Sequence, residues 1–284
     1  TEVVCVDDEF GRGGLSNVKK YIVGGKERII HLRRSMVWGL GPAHLTKTDL
    51  EVLATVENFV ETEAVAVYLC DGFPHPGIAY GMLIQKEAFG VPLDSAELPH
   101  LTYSQIFDCF ADVIGTIIKF GKLGYVHRDV KPGNILIPFD KSERRVIPYR
   151  NATLIDFGAV TRHGEMPEIR NCGFGTLRYS SPEQVVAEYL DYKSDIYSWG
   201  ITLAEALNLP GCSVRGLSQR TIHGIVSRGN QIPTFQRLKY IPKPLQPDVE
   251  AIFVSALAKD KNRRDHREIT ERLDNAKKIA IRES

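Results

Sequence analysis

HRDVKPGNIL, residues 127–136, sets an imidazole, a guanidinium, a carboxylate, an ammonium and an amide at short fixed offsets, between the apolar runs YV (125–126) and ILI (135–137). A second stretch, LIDFGAV (154–160), carries the carboxylate Asp156 directly behind the apolar TLI (153–155). Apolar runs this short beside loop chemistry predict buried strands that hold the polar groups on a rigid floor. The chemistry that needs this set is phosphoryl transfer, in which a protein makes almost no covalent contribution. It must instead position a hydroxyl in line with a γ-phosphate and neutralise the charge. In that reading Asp129 orients or accepts the proton of the acceptor hydroxyl, and Lys131 meets the transferring phosphate. Asn134 gives an amide oxygen to a divalent ion, and Asp156 bridges that ion to the β- and γ-phosphates.

Three further motifs follow in order: GTLRYSSPE (175–183), SDIYSWG (194–200) and KDKNRRDH (259–266). With these five motifs, over about half of its length, the chain resembles the eukaryotic-type protein kinases, and their Ser/Thr branch in particular. The resemblance implies an α+β, bilobal fold: a small antiparallel β lobe with one helix over residues 1–84, a hinge at 85–87 and a mainly helical large lobe over 88–284. It implies ATP and Mg2+ (or Mn2+) as cofactors and a protein Ser or Thr hydroxyl as acceptor. The Ser/Thr assignment rests on Lys131 and on Thr176, whose hydroxyl is expected to tie Asp129 to Lys131. Glu183 is expected to pair with an arginine of the KNRR turn, Arg264 fitting the spacing better than Arg263. Asp195 is expected to cap its helix and to bind the backbone of the HRD turn.

Composition sets the remaining bounds. The chain has 284 residues, 36 Lys and Arg against 35 Asp and Glu, and a formal net charge of +1. That balance gives no reason to expect a nucleic-acid or membrane surface as the main partner. No apolar run reaches membrane-spanning length. The five cysteines are scattered and odd in number, which fits an intracellular, reducing compartment without a disulfide framework. The chain stops soon after its last predicted helix, so no second domain is expected, and nothing in the sequence sets the oligomeric state.

In the first third the family pattern thins. EFGRGGLSNVKKY (9–21) reads as a strand, turn and strand in which Gly11, Gly13 and Gly14 let backbone amides approach phosphate oxygens, with Val18 just beyond. YIVGG (21–25) and RIIHL (28–32) read as two strands. The family places a phosphate-gripping lysine in the third strand, and here there is none. His31 lies nearest the expected position, Arg33 shares its strand face, and Lys19 and Lys20 stand in the strand before. With-no-lysine kinases supply this charge from a neighbouring strand, and Arg33 is the preferred surrogate because it is always protonated. TKTDLEVLATVENFVE (46–61) reads as a helix whose Asp49 or Glu51 would be the partner carboxylate. EAVAVYLCDGF (63–73) and GIAYGMLIQKE (77–87) read as strands, with Leu83 at the back of an adenine pocket and Ile84 to Lys86 at the hydrogen-bonding hinge edge.

Beyond the hinge, 89–99 reads as loop plus a short helix, 102–124 as a buried helix ending at Gly124, and 138–152 as a polar hairpin. Helices are further predicted at 217–229, 247–259 and 268–281, with Trp199, Ile201, Leu203, Ala204 and Leu207 in the core. Arg128, before the catalytic aspartate, often receives a phosphate from the activation segment in such kinases. Between Gly158 and Gly175 the one hydroxyl is Thr161, while Glu165 and Glu168 lie mid-segment, so activity is expected not to require phosphorylation there. Two other readings share the motifs: a pseudokinase scaffold, favoured by the altered third strand, and a small-molecule kinase of related fold.

Overall fold

A computed structural model describes residues 3–12, 16–23, 26–35, 52, 56, 62–69, 79–85, 89–148, 150–156, 159–164, 177–186, 188–209 and 238–283. The first five strands are β1 (Val3–Arg12), β2 (Ser16–Val23), β3 (Lys26–Ser35), β4 (Thr62–Leu69) and β5 (Ala79–Gln85). They form one antiparallel sheet in the order β1-β2-β3-β5-β4. The β-branched Ile29 and Ile30 of β3 (KERIIHLRRS) and Val65 and Val67 of β4 (TEAVAVYL) favour strand. In β1 the pairing steps from Asp7 opposite Lys20 to Gly11 opposite Val18, so this strand carries extra residues just before the glycine-rich turn.

Gly11, Val18, His31, Leu83 and Val65 are successive partners across all five strands, a single row. Gly11, Val18, His31 and Leu83 of this row are the ones expected near the nucleotide. Arg33 falls in the row of Ser16, Gly81 and Val67, two residues along β3 towards the glycine turn. Because directly paired residues share a face and faces alternate, Lys20 shares the face of His31, whereas Lys19 and Arg34 belong to the other.

The second part of the fold is helical. Helix α1 (Tyr103–Lys122) starts with a capping box: the Thr102 hydroxyl accepts from the Gln105 amide, and the Gln105 side chain accepts from the Thr102 amide. Ile106, Phe110, Val113, Ile117 and Phe120 recur along it at helical spacing and all are buried. It ends at Leu123, with Gly124 at φ +83 reversing the chain. Helix α2 (Pro182–Val185) and helix α3 (Tyr192–Ala206) follow, then α4 (Gln246–Ala256) and α5 (His266–Glu283). Helix α1 packs on α3 and α5, and α4 packs on α5. At the centre Trp199 meets Phe110 edge to face, with ring centroids 5.6 Å apart, and its indole N–H donates to the Phe110 carbonyl at 3.0 Å. Ile201, Leu203, Ala204 and Leu207 join this core as expected.

Three short sheets carry the loop chemistry. One contains β6 (Val91–Pro92), β8 (Ile135–Ile137) and β11 (Thr153–Leu154), another pairs β7 (Tyr125–Val126) with β12 (Thr161–Arg162), and β9 (Phe139–Asp140) and β10 (Arg145–Val146) form the polar hairpin. The segment 89–99 differs from its reading as loop plus helix. It holds strand β6 and turns, because Gly90, at φ +130, brings the chain so close to β8 that a Cβ there would lie 2.5 Å from the Ile137 carbonyl oxygen. Of the helix expected at 46–61 only Val52 and Val56 are described, and Val56 is buried in the core cluster; the helix expected at 217–229 lies outside the described residues. Among the described residues no helix is long and apolar enough to cross a membrane.

The helical part is locked by Arg264, 0% exposed, whose five N–H donors are all used. Its Nη1 and Nη2 grip the two carboxylate oxygens of Glu183, and the rest go to the carbonyls of Ala258 (2.8 Å), Lys193 (3.1 Å) and Lys259 (3.3 Å). Arg264, rather than Arg263, is the partner of Glu183. Burial pushes the Glu183 carboxyl up, but the Arg264 hydrogen bonds and charge outweigh it and hold the carboxyl below its ordinary 4.5. Arg264→Ala is therefore expected to cost about 3–5 kcal/mol by leaving a buried carboxylate unpaired. Because the folded value is depressed, the contribution of the pair is complete above the ordinary carboxyl range and is lost as pH falls through the folded value. Urea unfolding of parent and variant between pH 7 and pH 3 checks both statements, the gap between them closing on the acid side.

Candidate active site

The site begins with a turn that the chain would not adopt unaided. After β7, Arg128 takes φ +68, a left-handed conformation that is unfavourable for a residue with a Cβ. What holds it is Asp195, in the first turn of α3: its two carboxylate oxygens accept from the backbone N–H groups of His127 and Arg128, each at 2.7 Å. The helix itself is capped by Asp191, which accepts from the Lys193 amide at 2.8 Å, so the capping role expected of Asp195 belongs to the residue four before it. Asp195 is 0% exposed. Burial pushes its carboxyl up to about 7, against the two backbone donors and the Arg128 charge.

His127 is oriented from both sides. Its Nδ1 accepts from the Asp129 amide at 3.3 Å, which assigns the ring proton to Nε2, 3.2 Å from the Ile155 carbonyl oxygen. Burial lowers its pKa, in spite of the charges of Asp129 and Asp156, which favours the neutral ring.

Asp129 is 9% exposed and is organised by its own loop. Oδ2 receives Lys131 Nζ at 2.7 Å and Asn134 Nδ2 at 2.9 Å, while the same Asn134 nitrogen donates to the Asp129 carbonyl at 2.8 Å. A short 3-10 turn, Pro132–Asn134, folds the amide back over the carboxylate. The Ile155 amide donates to the Asn134 carbonyl at 2.9 Å, so the strand that delivers Asp156 is tied to the loop that delivers Asn134. Asp156 then takes φ +79 at the end of that strand and is half-buried.

Asp129, Lys131 and Asn134 thus meet directly, and Asp156 is joined to them through backbone. Gly11, Val18, His31 and Leu83 share one row of the five-stranded sheet, with Arg33 in the next. Gly13, Gly14, Lys86, Asp49, Glu51, Thr176, Glu165 and Glu168 lie outside the described residues. The donor set around Asn134 and Asp156 is an amide and a carboxylate, hard oxygen ligands that suit a divalent cation of the Mg2+ type.

Comparison with known proteins follows the same motifs. The profile described as "Protein kinase domain" matches residues 96–271, more than half of the chain and the part that carries this loop, the Glu183–Arg264 pair and α3. The chain belongs to the protein kinase domain family. Its relatives include the probable serine/threonine-protein kinase PknB of Bifidobacterium longum, 29% identical over 164 residues, 55% of this chain and 22% of that protein. The serine/threonine-protein kinase A of a Synechocystis species is 39% identical over 83 residues, 29% of this chain and 15% of that protein. The mouse interferon-induced, double-stranded RNA-activated protein kinase is 31% identical over 103 residues, 36% and 18% respectively. The matched part of the chain spans less than a quarter of each of these proteins.

Two contacts of this kinase domain have no signal in the sequence. Gln184, buried in α2, donates to the Arg128 carbonyl at 2.9 Å and so supports the left-handed turn from the far side. In the segment entering α2, Tyr179 donates to Glu205 of α3 at 2.7 Å, with the Arg178 guanidinium 4.5 Å over the Tyr179 ring. Neither polar residue stands out by spacing or composition; only the approach of α2 and α3 to the loop makes them partners. Asp195→Ala is expected to strip the acceptor from the two buried amides at about 1–3 kcal/mol each. Hydrogen exchange at His127 and Arg128 reads this directly, with protection lost there and kept in α1 and α5.

Proposed function

We propose that this chain is the catalytic domain of a Ser/Thr protein kinase that transfers the γ-phosphate of ATP to protein hydroxyls. The observation that carries the proposal is the occupancy of Asp129. Two donors, Lys131 and Asn134, take Oδ2, which leaves Oδ1 to address the acceptor hydroxyl. Lys131 is held beside that carboxylate, where its charge meets the transferring phosphate. Asn134 spends its amide nitrogen on Asp129, so its oxygen would be free to hold a cation together with the Asp156 carboxylate. Asn134 and Asp156 would hold Mg2+ or Mn2+, which would supply positive charge against the charge that develops on the transferring phosphate. The Ser/Thr assignment is supported by Lys131 and by the relatives' names as serine/threonine kinases. In this reading the five-stranded sheet forms a small lobe over 1–84, the chain crosses at 85–87, and 88–284 form the large lobe. Scattered cysteines, with Cys109 a buried thiol, support an intracellular, reducing setting.

The test is transfer of labelled phosphate from ATP to a generic basic protein. Asp129→Asn is expected to lower turnover by about 10²- to 10⁴-fold with MgATP affinity nearly unchanged, since that side chain addresses the acceptor. Asp156→Ala is expected to abolish transfer and weaken Mg-dependent nucleotide binding. Wild-type turnover in both variants would end the kinase reading.

The cation that replaces the third-strand lysine is Arg33. Its row is the one next to the row of Gly11, Val18, His31 and Leu83, on the side of the glycine turn whose amides cover phosphates. Lys20 shares the face but lies the other way, opposite Ile29, four residues or about 13 Å from Arg33 along β3. Lys19 stands on the other face, and an imidazole, unlike a guanidinium, is not always protonated. Binding and turnover for Arg33→Ala, His31→Ala, Lys19→Ala and Lys20→Ala are expected to show a selective loss of MgATP affinity at Arg33, about tenfold or more, the scale of one charged hydrogen bond. Equal losses at all four positions, or a parent that binds no MgATP, would remove Arg33 from the role.

A further inference from the structure

We infer that the polar hairpin between β8 and β11 serves the nucleotide side of the reaction through Arg150, a positioning residue that braces the chain leaving β5 against the strand that delivers Asp156, an inference that rests on the kinase reading above. The brace closes one end of a three-stranded sheet. The strand order is β11-β8-β6, with Val91 opposite Ile137 and Thr153 opposite Leu136, so β6 and β11 both begin at the end where β8 finishes. The chain reaches that end twice. It comes once from β5, which stops at Gln85, through Phe89 into β6, and once from the hairpin through Arg150 into β11. There the Arg150 guanidinium lies 4.7 Å over the Phe89 ring, and Phe89 is 48% exposed. Two edge strands that are not neighbours in the sheet are thus joined by a cation on an aromatic face.

The hairpin is built to hold Arg150 in this place. At its tip Asp140 accepts from the Ser142 amide and hydroxyl and from the Glu143 amide, while Arg144 turns the chain at φ +52. At its base the Ile147 amide donates to the Pro138 carbonyl at 2.9 Å, and Phe139 is buried. Two residues beyond Arg150 the Ala152 amide donates to the Asp112 carboxylate of α1 at 2.9 Å, which fixes the return limb on the helical core.

On the other side of the contact, Gly90 lies against the Ile137 carbonyl and the Leu93 amide donates to the Ile135 carbonyl at 2.9 Å. Phe89 is therefore the residue at which the chain coming from β5 is secured. In the kinase reading the edge that hydrogen-bonds adenine is 84–86, three residues earlier, so freedom at Phe89 is freedom in the chain that holds the base. The acceptor loop is organised separately, by the bonds of Lys131 and Asn134 to Asp129. The hairpin tip makes a second contact, Lys141 with Glu97 at 3.0 Å, but both side chains are more than half exposed, and an ion pair in water holds little.

The test measures steady-state turnover against MgATP and against a generic basic protein as acceptor. Arg150→Ala is expected to raise KM for MgATP about 2- to 5-fold, the scale of one exposed cation–π contact, with kcat and the KM for the acceptor unchanged. Phe89→Leu, which keeps an apolar side chain and removes the π face, is expected to match it, and Phe89→Tyr to behave as the parent. The double variant Arg150→Ala with Phe89→Leu is expected to be no worse than either single one, and Lys141→Ala to keep the parent KM. A parent KM for MgATP in Arg150→Ala, a loss confined to kcat, or losses that multiply in the double variant would overturn the inference. A parent that binds no MgATP would count against the kinase reading, and hydrogen exchange at the Leu93 amide then decides the brace. Faster exchange in Arg150→Ala than in the parent and Phe89→Tyr supports it, and equal exchange in all three overturns it.

Discussion

The arrangement depends first on one buried carboxylate. Asp195 accepts two backbone N–H groups from a turn in which Arg128 is left-handed, and nothing local would keep that turn. The cost is visible in Asp195 itself, whose carboxyl is driven up to about 7 by burial even with both donors in place. A group held at such expense is an anchor whose position the helical core must guarantee. Trp199, four residues on in α3 and fully buried against Phe110, provides that guarantee.

The second constraint is the Glu183–Arg264 pair, which joins residues 81 apart in the chain. As a buried ion pair it adds less net stability than its hydrogen bonds suggest, because both ions had to leave water. Its effect is positional. Glu183 also receives the Ser194 hydroxyl at 2.7 Å, one residue before Asp195, so the pair, α2 and the anchor of the HRD turn are parts of one polar cluster set in an apolar core. Gln184, next to Glu183, reaches the same turn from the other side.

The five-stranded sheet obeys a different rule. Its order and register come from backbone pairing, and register alone sorts four cationic or titratable candidates into two faces and different rows. A one-residue slip would exchange the faces and move Arg33 away from the row next to Gly11 and Val18.

The sequence by itself determined the motifs and their chemistry: which carboxylates, amide and lysine form the loop, which arginine meets Glu183, where α1 begins and ends, and that β3 has no lysine beyond its first residue, Lys26. These are short-range or strongly periodic signals, legible because strand, helix and turn preferences act within a few residues. Tertiary structure decided the rest. It assigned the helix cap to Asp191 and freed Asp195 for the turn, made Gln184 a partner of Arg128, turned 89–99 into strand and turns beside β8, and paired Thr161 with Val126 in β12. Each of these is a contact between segments far apart in the chain, and hydrogen-bonding capacity in a sequence does not say which distant donor will meet which acceptor until the core brings them together.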